Sequence, residues 1–250
     1  MSERPASTVD PEEIARFAKL AETWWDPKGP MKPLHKFNPL RLQYLRDMIC
    51  SHFGRSSRDA LPLQGLRIID IGCGAGMLAE PLARLGAEVL GIDPAEKNVS
   101  IARAHADASG VTVSYESETI ETVVARGARF DVVLAMEVVE HVTDVEAFVG
   151  SCCEAVAPGG LLFMATLNRT MRSYALAIVG AEYVLRWLPK GTHQWDKFVT
   201  PDELTNAVEA GGLDIVEVRG VTYNPLRDQW GLSRDTAVNY LMTAERPAQQ

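Results

Sequence analysis

Ile68-Ile69-Asp70-Ile71-Gly72-Cys73-Gly74-Ala75-Gly76-Met77 is the stretch that decides the fold of this chain. Residues 66–71 are mostly apolar and β-branched, too short for a helix and broken at once by Gly72, so they read as a buried parallel strand. Glycines at alternate positions 72, 74 and 76 admit backbone angles and close approaches that a Cβ forbids, so a ligand can lie directly on them. From Met77 the pattern turns helical, with Leu78, Leu82 and Leu85 recurring, and the turn delivers its ligand to a helix N-terminus.

The glycine spacing separates two classes of ligand. Dinucleotide folds use G-x-G-x-x-G, whose first glycine makes the turn and whose second admits a pyrophosphate. Here the third glycine comes one residue early. Asp70, just before the first glycine, repels a diphosphate and attracts an ammonium group. S-adenosylmethionine carries such a group and is the expected cofactor. The plainer reading is a tight strand-to-helix turn that binds nothing.

Composition limits the rest. With 250 residues, 46% hydrophobic and 23% charged, the chain is expected to bury one large core as a single domain. A net charge of −8 argues against a nucleic-acid binder, because neutralising phosphates takes clustered Lys and Arg. Cys50, Cys73, Cys152 and Cys153 show neither metal-site nor disulfide-framework spacing, which fits a reducing, cytoplasmic setting. The N-terminus lacks the apolar core of a secretory signal, and no run reaches the length of a membrane span.

Residues 1–9 are polar and expected to form a disordered tail, and 10–54 to form N-terminal helices. Asp10-Pro11-Glu12-Glu13 is a helix start with an N-cap, a proline at N1 and acids in the first turn. Trp24-Trp25-Asp26-Pro27 ends that helix, 28–38 reads as a loop, and Asn38-Pro39 starts a second helix. Arg41 falls in its first turn, where a cation opposes the helix dipole, so it either answers to another partner or is simply exposed. From 65 to 245 strands and helices alternate, with strands at 66–71, 88–92, 111–115, 130–136, 161–166, 213–219 and 237–244. Helices fall at 96–108, 144–156 and 201–210. The expected fold is α/β: a doubly wound, mostly parallel, seven-stranded Rossmann-like sheet that binds ligands at the carboxyl ends of its strands. Asp93 ends the second strand, 19 residues after Gly74, where an acid accepts the ribose hydroxyls of an adenosine or is an ordinary loop aspartate. Met136 ends the fourth, where a thioether packs on an adenine or fills the core.

The glycine turn, Asp93 and Pro158-Gly159-Gly160 resemble class I S-adenosylmethionine-dependent methyltransferases. Trp24-Trp25-Asp26, Lys32-Pro33-Leu34-His35, Asn38-Pro39-Leu40-Arg41, Glu137-Val138-Val139-Glu140-His141-Val142, Thr166-Leu167-Asn168-Arg169 and Tyr223-Asn224-Pro225 resemble the O-methyltransferases of ubiquinone biosynthesis. So do Val179-Gly180-Ala181-Glu182-Tyr183 and Leu188-Pro189-Lys190-Gly191-Thr192-His193. The resemblance implies methylation of a 2-polyprenyl-6-hydroxyphenol and of 3-demethylubiquinol, with cofactor contacts at Arg41, Gly72, Asp93 and Met136. It also implies association with other enzymes of that pathway. Ala75 departs mildly from relatives that carry glycine there.

A phenol has a pKa of about 10, so presenting the phenolate near pH 7 costs roughly 4 kcal/mol. His141 follows the fourth strand on the cofactor side and is the candidate general base. Were Glu137, Glu140 and His141 one helical turn, they would share a face and make a second device possible, a site for Mg²⁺ or another divalent cation holding both catechol oxygens. Glu137 and Glu140 are therefore candidates both for catalysis and for metal binding. The alternative is a polar turn with solvated glutamates.

Residues 168–200 read as a helical lid insertion, with a helix at about 173–188 carrying Tyr174, Ile178, Ala181, Leu185 and Leu188 along one side. Arg169, Arg172, Arg186 and Lys190 against Glu182 make 169–190 net positive in an acidic chain. The segment is expected to meet an anionic membrane surface, placing the protein peripherally on the inner face of the cell membrane, or else to pack as an internal lid. Two other functions compete: a nicotinamide oxidoreductase, and a non-enzymatic subunit that keeps the fold and scaffolds partners.

Overall fold

The computed structural model describes residues 7–174, 195–224 and 227–248. Its strands are β1 (Arg67–Ile71), β2 (Glu88–Ile92), β3 (Ser114–Glu116), β4 (Phe130–Met136), β5 (Val156–Leu167), β6 (Asp214–Asn224), β7 (Gln229–Ser233) and β8 (Asn239–Glu245). They form one eight-stranded sheet in the order β3-β2-β1-β4-β5-β8-β6-β7. The strands from β3 to β5 are parallel, and β8 and β7 each run antiparallel to their neighbours. The chain order reverses between β1 and β4, and a crevice at such a switch point is where doubly wound sheets bind ligands.

The helices are α1 (Pro11–Leu20), α2 (Lys32–His52), α3 (Ala79–Arg84), α4 (Glu96–Ala108), α5 (Ile120–Ala125), α6 (Val145–Ala155), the single turn α7 (Met171–Ser173) and α8 (Pro201–Ala210). Two apolar layers cover the sheet. Ile68, Val132 and Phe163 point into one with Leu45, Ile49 and Leu82; Ile69, Val133 and Met242 point into the other with Phe148 and Leu204. Successive strand residues face opposite sides, so the unbroken apolar runs of β1 and β4 supply both layers at once.

Three expectations need correction. The sheet has eight strands rather than seven, because β7 pairs on the outer edge of β6. Its sequence, Gln-Trp-Gly-Leu-Ser, is half-exposed and carries no continuous apolar signal. The second helix begins at Lys32 and passes through Pro39, which stands in its interior. That proline removes one helical N–H, but burial of Phe37, Asn38, Arg41, Tyr44 and Leu45 along the same helix holds it together. The tail is ordered by residue 8: Thr8 is buried, its Oγ1 donates to Glu121 Oε1 at 2.5 Å, and Val9 bridges Val142 antiparallel. Residues 175–194, and with them most of the expected lid helix and its Arg186 and Lys190, lie outside the described residues. Among the described residues, no helix is long and apolar enough to cross a membrane.

Gly220 and Gly231 sit in the same β6–β7 ladder with opposite surroundings. A Cβ at Gly220 would overlap the Asp235 carbonyl, whereas one at Gly231 meets nothing within 4 Å. Gly220→Ala should therefore cost about 1 to 3 kcal/mol or more in urea denaturation, the range for forced overpacking, and Gly231→Ala should stay within about 0.5 kcal/mol of the parent. Equal effects would contradict this packing.

Candidate active site

The turn after β1 is left-handed at all three glycines, with φ of +67° at Gly72, +55° at Gly74 and +86° at Gly76. Each also lacks room for a Cβ. At Gly72 one would come within 2.6 Å of Val138, at Gly74 within 2.6 Å of the Trp24 ring, and at Gly76 it would strike the Tyr115 hydroxyl. The expectation that a ligand lies on all three is thus corrected. Gly72 opens onto the cavity beside the turn, while Gly74 is covered by Trp24. The tryptophan pair clamps the turn from outside. Trp25 Nε1 donates to the Ala75 carbonyl at 3.0 Å, and its ring stacks flat on His105 at 3.5 Å.

That cavity has a volume of about 760 Å³ and runs along the carboxyl ends of the strands. Asp70, Gly72, Asp93 and Met136 line one part of it, and Glu137, Glu140 and His141 another. Asp93 lies at the mouth of β2 and accepts from Gly74 N at 3.0 Å, Ala95 N at 2.8 Å and Asn98 Nδ2 at 3.2 Å. Gly74 therefore acts on the site through Asp93. Burial raises the Asp93 pKa, and those three donors oppose the rise.

Arg41 is buried, in contrast to an exposed arginine, and its guanidinium donates to Asn38 Oδ1 and lies over the Phe37 ring at 4.7 Å. Burial lowers its pKa, and the nearby carboxylates Glu137 and Asp70 oppose the fall. Burial likewise pushes Asp70 up to about 7, with Arg41 working against it. Glu137 follows β4 directly at a left-handed φ of +60°, with its N–H donated to Ala165 O at 2.9 Å. Burial and then the charge of its neighbour Glu140 raise it to about 7, against the pull of Arg41 and His141.

The segment Val139–His141 is a turn of 3₁₀ helix preceded by that left-handed glutamate, so Glu137, Glu140 and His141 do not share a helical face. Glu140 Oε2 accepts from Thr166 Oγ1 at 2.9 Å. His141 Nδ1 instead meets Glu13 Oε2 at 3.1 Å, and Phe17 packs edge-on against its ring at 5.0 Å. Among the described residues no group of three or more His, Cys, Asp and Glu side chains is arranged to hold a metal ion. The metal set expected from Glu137, Glu140 and His141 is therefore not assembled.

Glu13 is the site residue that sequence reasoning missed, having been read only as first-turn acid of α1. Its side chain is buried and also faces Arg16 and, at 3.8 Å, Lys197. Burial alone would raise its pKa, but the bond to His141 and the charges of His141, Arg16 and Lys197 outweigh it and hold it below the usual value. Its one signal in sequence was position: an acid facing inward along the apolar side that includes Phe17.

The sheet order, the left-handed glycine turn and the acidic strand ends together define a methyltransferase with a doubly wound core, and the methyltransferase domain profile matches residues 40–218. Ubiquinone biosynthesis O-methyltransferase of Methylobacterium nodulans is 63% identical over 247 residues, 99% of each chain. The protein of that name from Methylobacterium sp. is 60% identical over 99% of this chain and 100% of its own, and one from Rhizobium etli is 56% identical over the same shares. The chain belongs to the ubiquinone biosynthesis O-methyltransferase family. Among solved structures, magnesium protoporphyrin IX methyltransferase from Synechocystis PCC 6803 with bound SAH shares the fold at a TM-score of 0.65 and 18% identity, over 93% of this chain and 94% of that one.

Glu137 makes the site costly to ionise. Its pKa is raised in the fold, so the stability it contributes is full below the unfolded carboxylate value and is lost as pH climbs through about 7. Relative to the parent, Glu137→Gln should gain several degrees in Tm between pH 5 and pH 8 by calorimetry of the ligand-free proteins. A Tm difference independent of pH would contradict the raised pKa of the buried Glu137.

Proposed function

We propose that this chain binds S-adenosylmethionine and methylates both O-methylation intermediates of ubiquinone biosynthesis, 2-polyprenyl-6-hydroxyphenol and 3-demethylubiquinol. One observation carries the reading: a single cavity joins Arg41, Asp70, Gly72 and Asp93 to the Glu137–His141 turn. The residues fit the cofactor by charge. Asp70 would hold its ammonium, Arg41 its carboxylate, Asp93 its ribose and Met136 its adenine, while Gly72 would let the cofactor approach the backbone. When bound, S-adenosylmethionine would supply an electrophilic methyl carbon: a phenolate oxygen bonds to it in line as the carbon–sulfur bond breaks, and the electron pair leaves with the sulfur as S-adenosylhomocysteine.

The protein's own work is alignment and proton removal. Glu13 holds the Nδ1 side of His141 and Phe17 fixes the ring plane, leaving Nε2 to take the phenolic proton. The Glu13 carboxylate then faces the imidazolium and stabilises it. Glu137 and Glu140 line the same cavity beside His141 and would border the acceptor oxygen.

Incubation with methyl-labelled S-adenosylmethionine and a short-chain prenyl catechol tests the reading, and absence of label in the ring ether would end it. Asp93→Ala should weaken cofactor binding by about 1.5 to 3 kcal/mol in calorimetry. His141→Ala should lower kcat by about 10² to 10⁴ with cofactor affinity near the parent's, and parental turnover would remove His141 as base.

We further infer peripheral attachment to an anionic membrane through 169–190, on the cytoplasmic face and beside other enzymes of the pathway. Exposed Met171 and Tyr174 support it at the described end of that segment. Arg169 and Arg172 contribute less than their charge suggests, since they pair with Glu203 and Asp235. Liposome flotation should show binding that requires anionic lipid and weakens with salt. Flotation on neutral vesicles alone would contradict an electrostatic attachment.

A further inference from the structure

The cavity continues past the cofactor residues along the same sheet edge, under strands that none of the assigned residues occupies. Leu167 ends β5, Asn239 begins β8 and Val221 lies near the end of β6, and the register sets these three side by side, with Asn239 between the two apolar residues. Tyr223 and Trp230 pair just beyond them in the β6–β7 hairpin. All five line the cavity. Phe37 of α2 packs on Trp230 at 5.0 Å, and Trp230 on Tyr223 at 5.1 Å, so helix and hairpin form one aromatic wall. Lys36 Nζ meets Asp228 Oδ2 at 2.5 Å and ties the hairpin to the helix.

Asn239 is the anomaly in this half. It is about nine-tenths buried, and its side-chain oxygen is sealed from solvent without a hydrogen-bond partner. Nothing apolar packing requires is gained by a carboxamide between Leu167 and Val221, and a buried acceptor left unpaired destabilises the fold. Because Asn239 also lines the cavity, a turn of its amide about the broad terminal torsion would present that oxygen there, where a ligand hydroxyl completes it.

We propose that Asn239 is a substrate-binding residue that recognises the ring hydroxyl adjacent to the one being methylated, with the polyprenyl chain leaving along the Phe37–Trp230–Tyr223 wall. This rests on the function proposed above. Both substrates carry a hydroxyl next to the reacting oxygen. It remains a donor while its neighbour ionises, which is the partner an unpaired amide oxygen requires. The wall is apolar and aromatic, suited to branched hydrocarbon, and separate from Asp70 and Asp93.

The test is steady-state methylation of a prenyl catechol and of the prenyl phenol that lacks the adjacent hydroxyl. The parent should prefer the catechol. Asn239→Ala should raise KM for the catechol about 5- to 100-fold, with a smaller change in kcat, so that the preference collapses toward unity. Asn239→Ser, which keeps a polar atom, should recover part of it. Calorimetric binding of S-adenosylmethionine identifies folded variants. An unaltered preference in a folded variant, or a parent indifferent between the two substrates, overturns the assignment. Independently, catechols with no, one and two isoprene units should show rising kcat/KM in the parent. Thr222→Trp, at an exposed position on the cavity wall, should flatten that rise. A parent insensitive to chain length overturns the aromatic path. If the parent methylates none of these compounds, the proposed function fails and this inference falls with it; methylation with identical preferences in every variant sinks this inference alone.

Discussion

Arg41 lies buried against the cavity with Asp70 and Glu137 acting on it through space, and this one buried charge constrains several distant segments at once. An isolated guanidinium in a dry interior costs several kcal/mol, so it must have anions and hydrogen-bond acceptors nearby. Three separate elements supply them. α2 must continue unbroken through Pro39 to bring Asn38 and Phe37 onto the guanidinium. β1 must carry Asp70 to its end, and β4 must hand over to a left-handed Glu137. That backbone angle costs on the order of 1 to 3 kcal/mol for a residue with a Cβ, a strain the surrounding packing sustains beside the cavity.

The N-terminal segment belongs to the site as much as the sheet does. α1 brings Glu13 and Phe17 to His141, and the tryptophans that follow grip the glycine turn, one ring over Gly74 and one indole N–H on the Ala75 carbonyl. The glycines are therefore needed for protein contacts as well as for any ligand. Removing the first helix would leave the sheet but take away the partner that orients the proposed base.

The sheet edge divides the cavity by topology. Parallel strands on one side of the switch point present the charged residues suited to a polar cofactor; antiparallel β8, β6 and β7 on the other side present Asn239 and the aromatic wall. β7, the strand beyond the expected seven, extends the sheet where the greasy part of a prenylated substrate would lie. This arrangement would let the two proposed ligands, of opposite character, meet at the end of β4.

The sequence by itself determined the parallel core. The apolar runs of β1 and β4, the glycine turn and the acids at strand ends are local signals, and β2, β4, α4 and α8 stand where periodicity placed them. The family was legible too, because its motifs are contiguous. Partners between distant segments were not legible. Glu13 and His141 lie 128 positions apart, and nothing in either neighbourhood encodes a bond between them. The continuation of α2 through Pro39, the 3₁₀ turn that keeps Glu137, Glu140 and His141 off a common helical face, and the unpaired amide oxygen of Asn239 were likewise decided by tertiary packing. Each depends on which side chains the fold places around a buried charge or polar atom, and burial is a property of the folded chain rather than of any stretch of it.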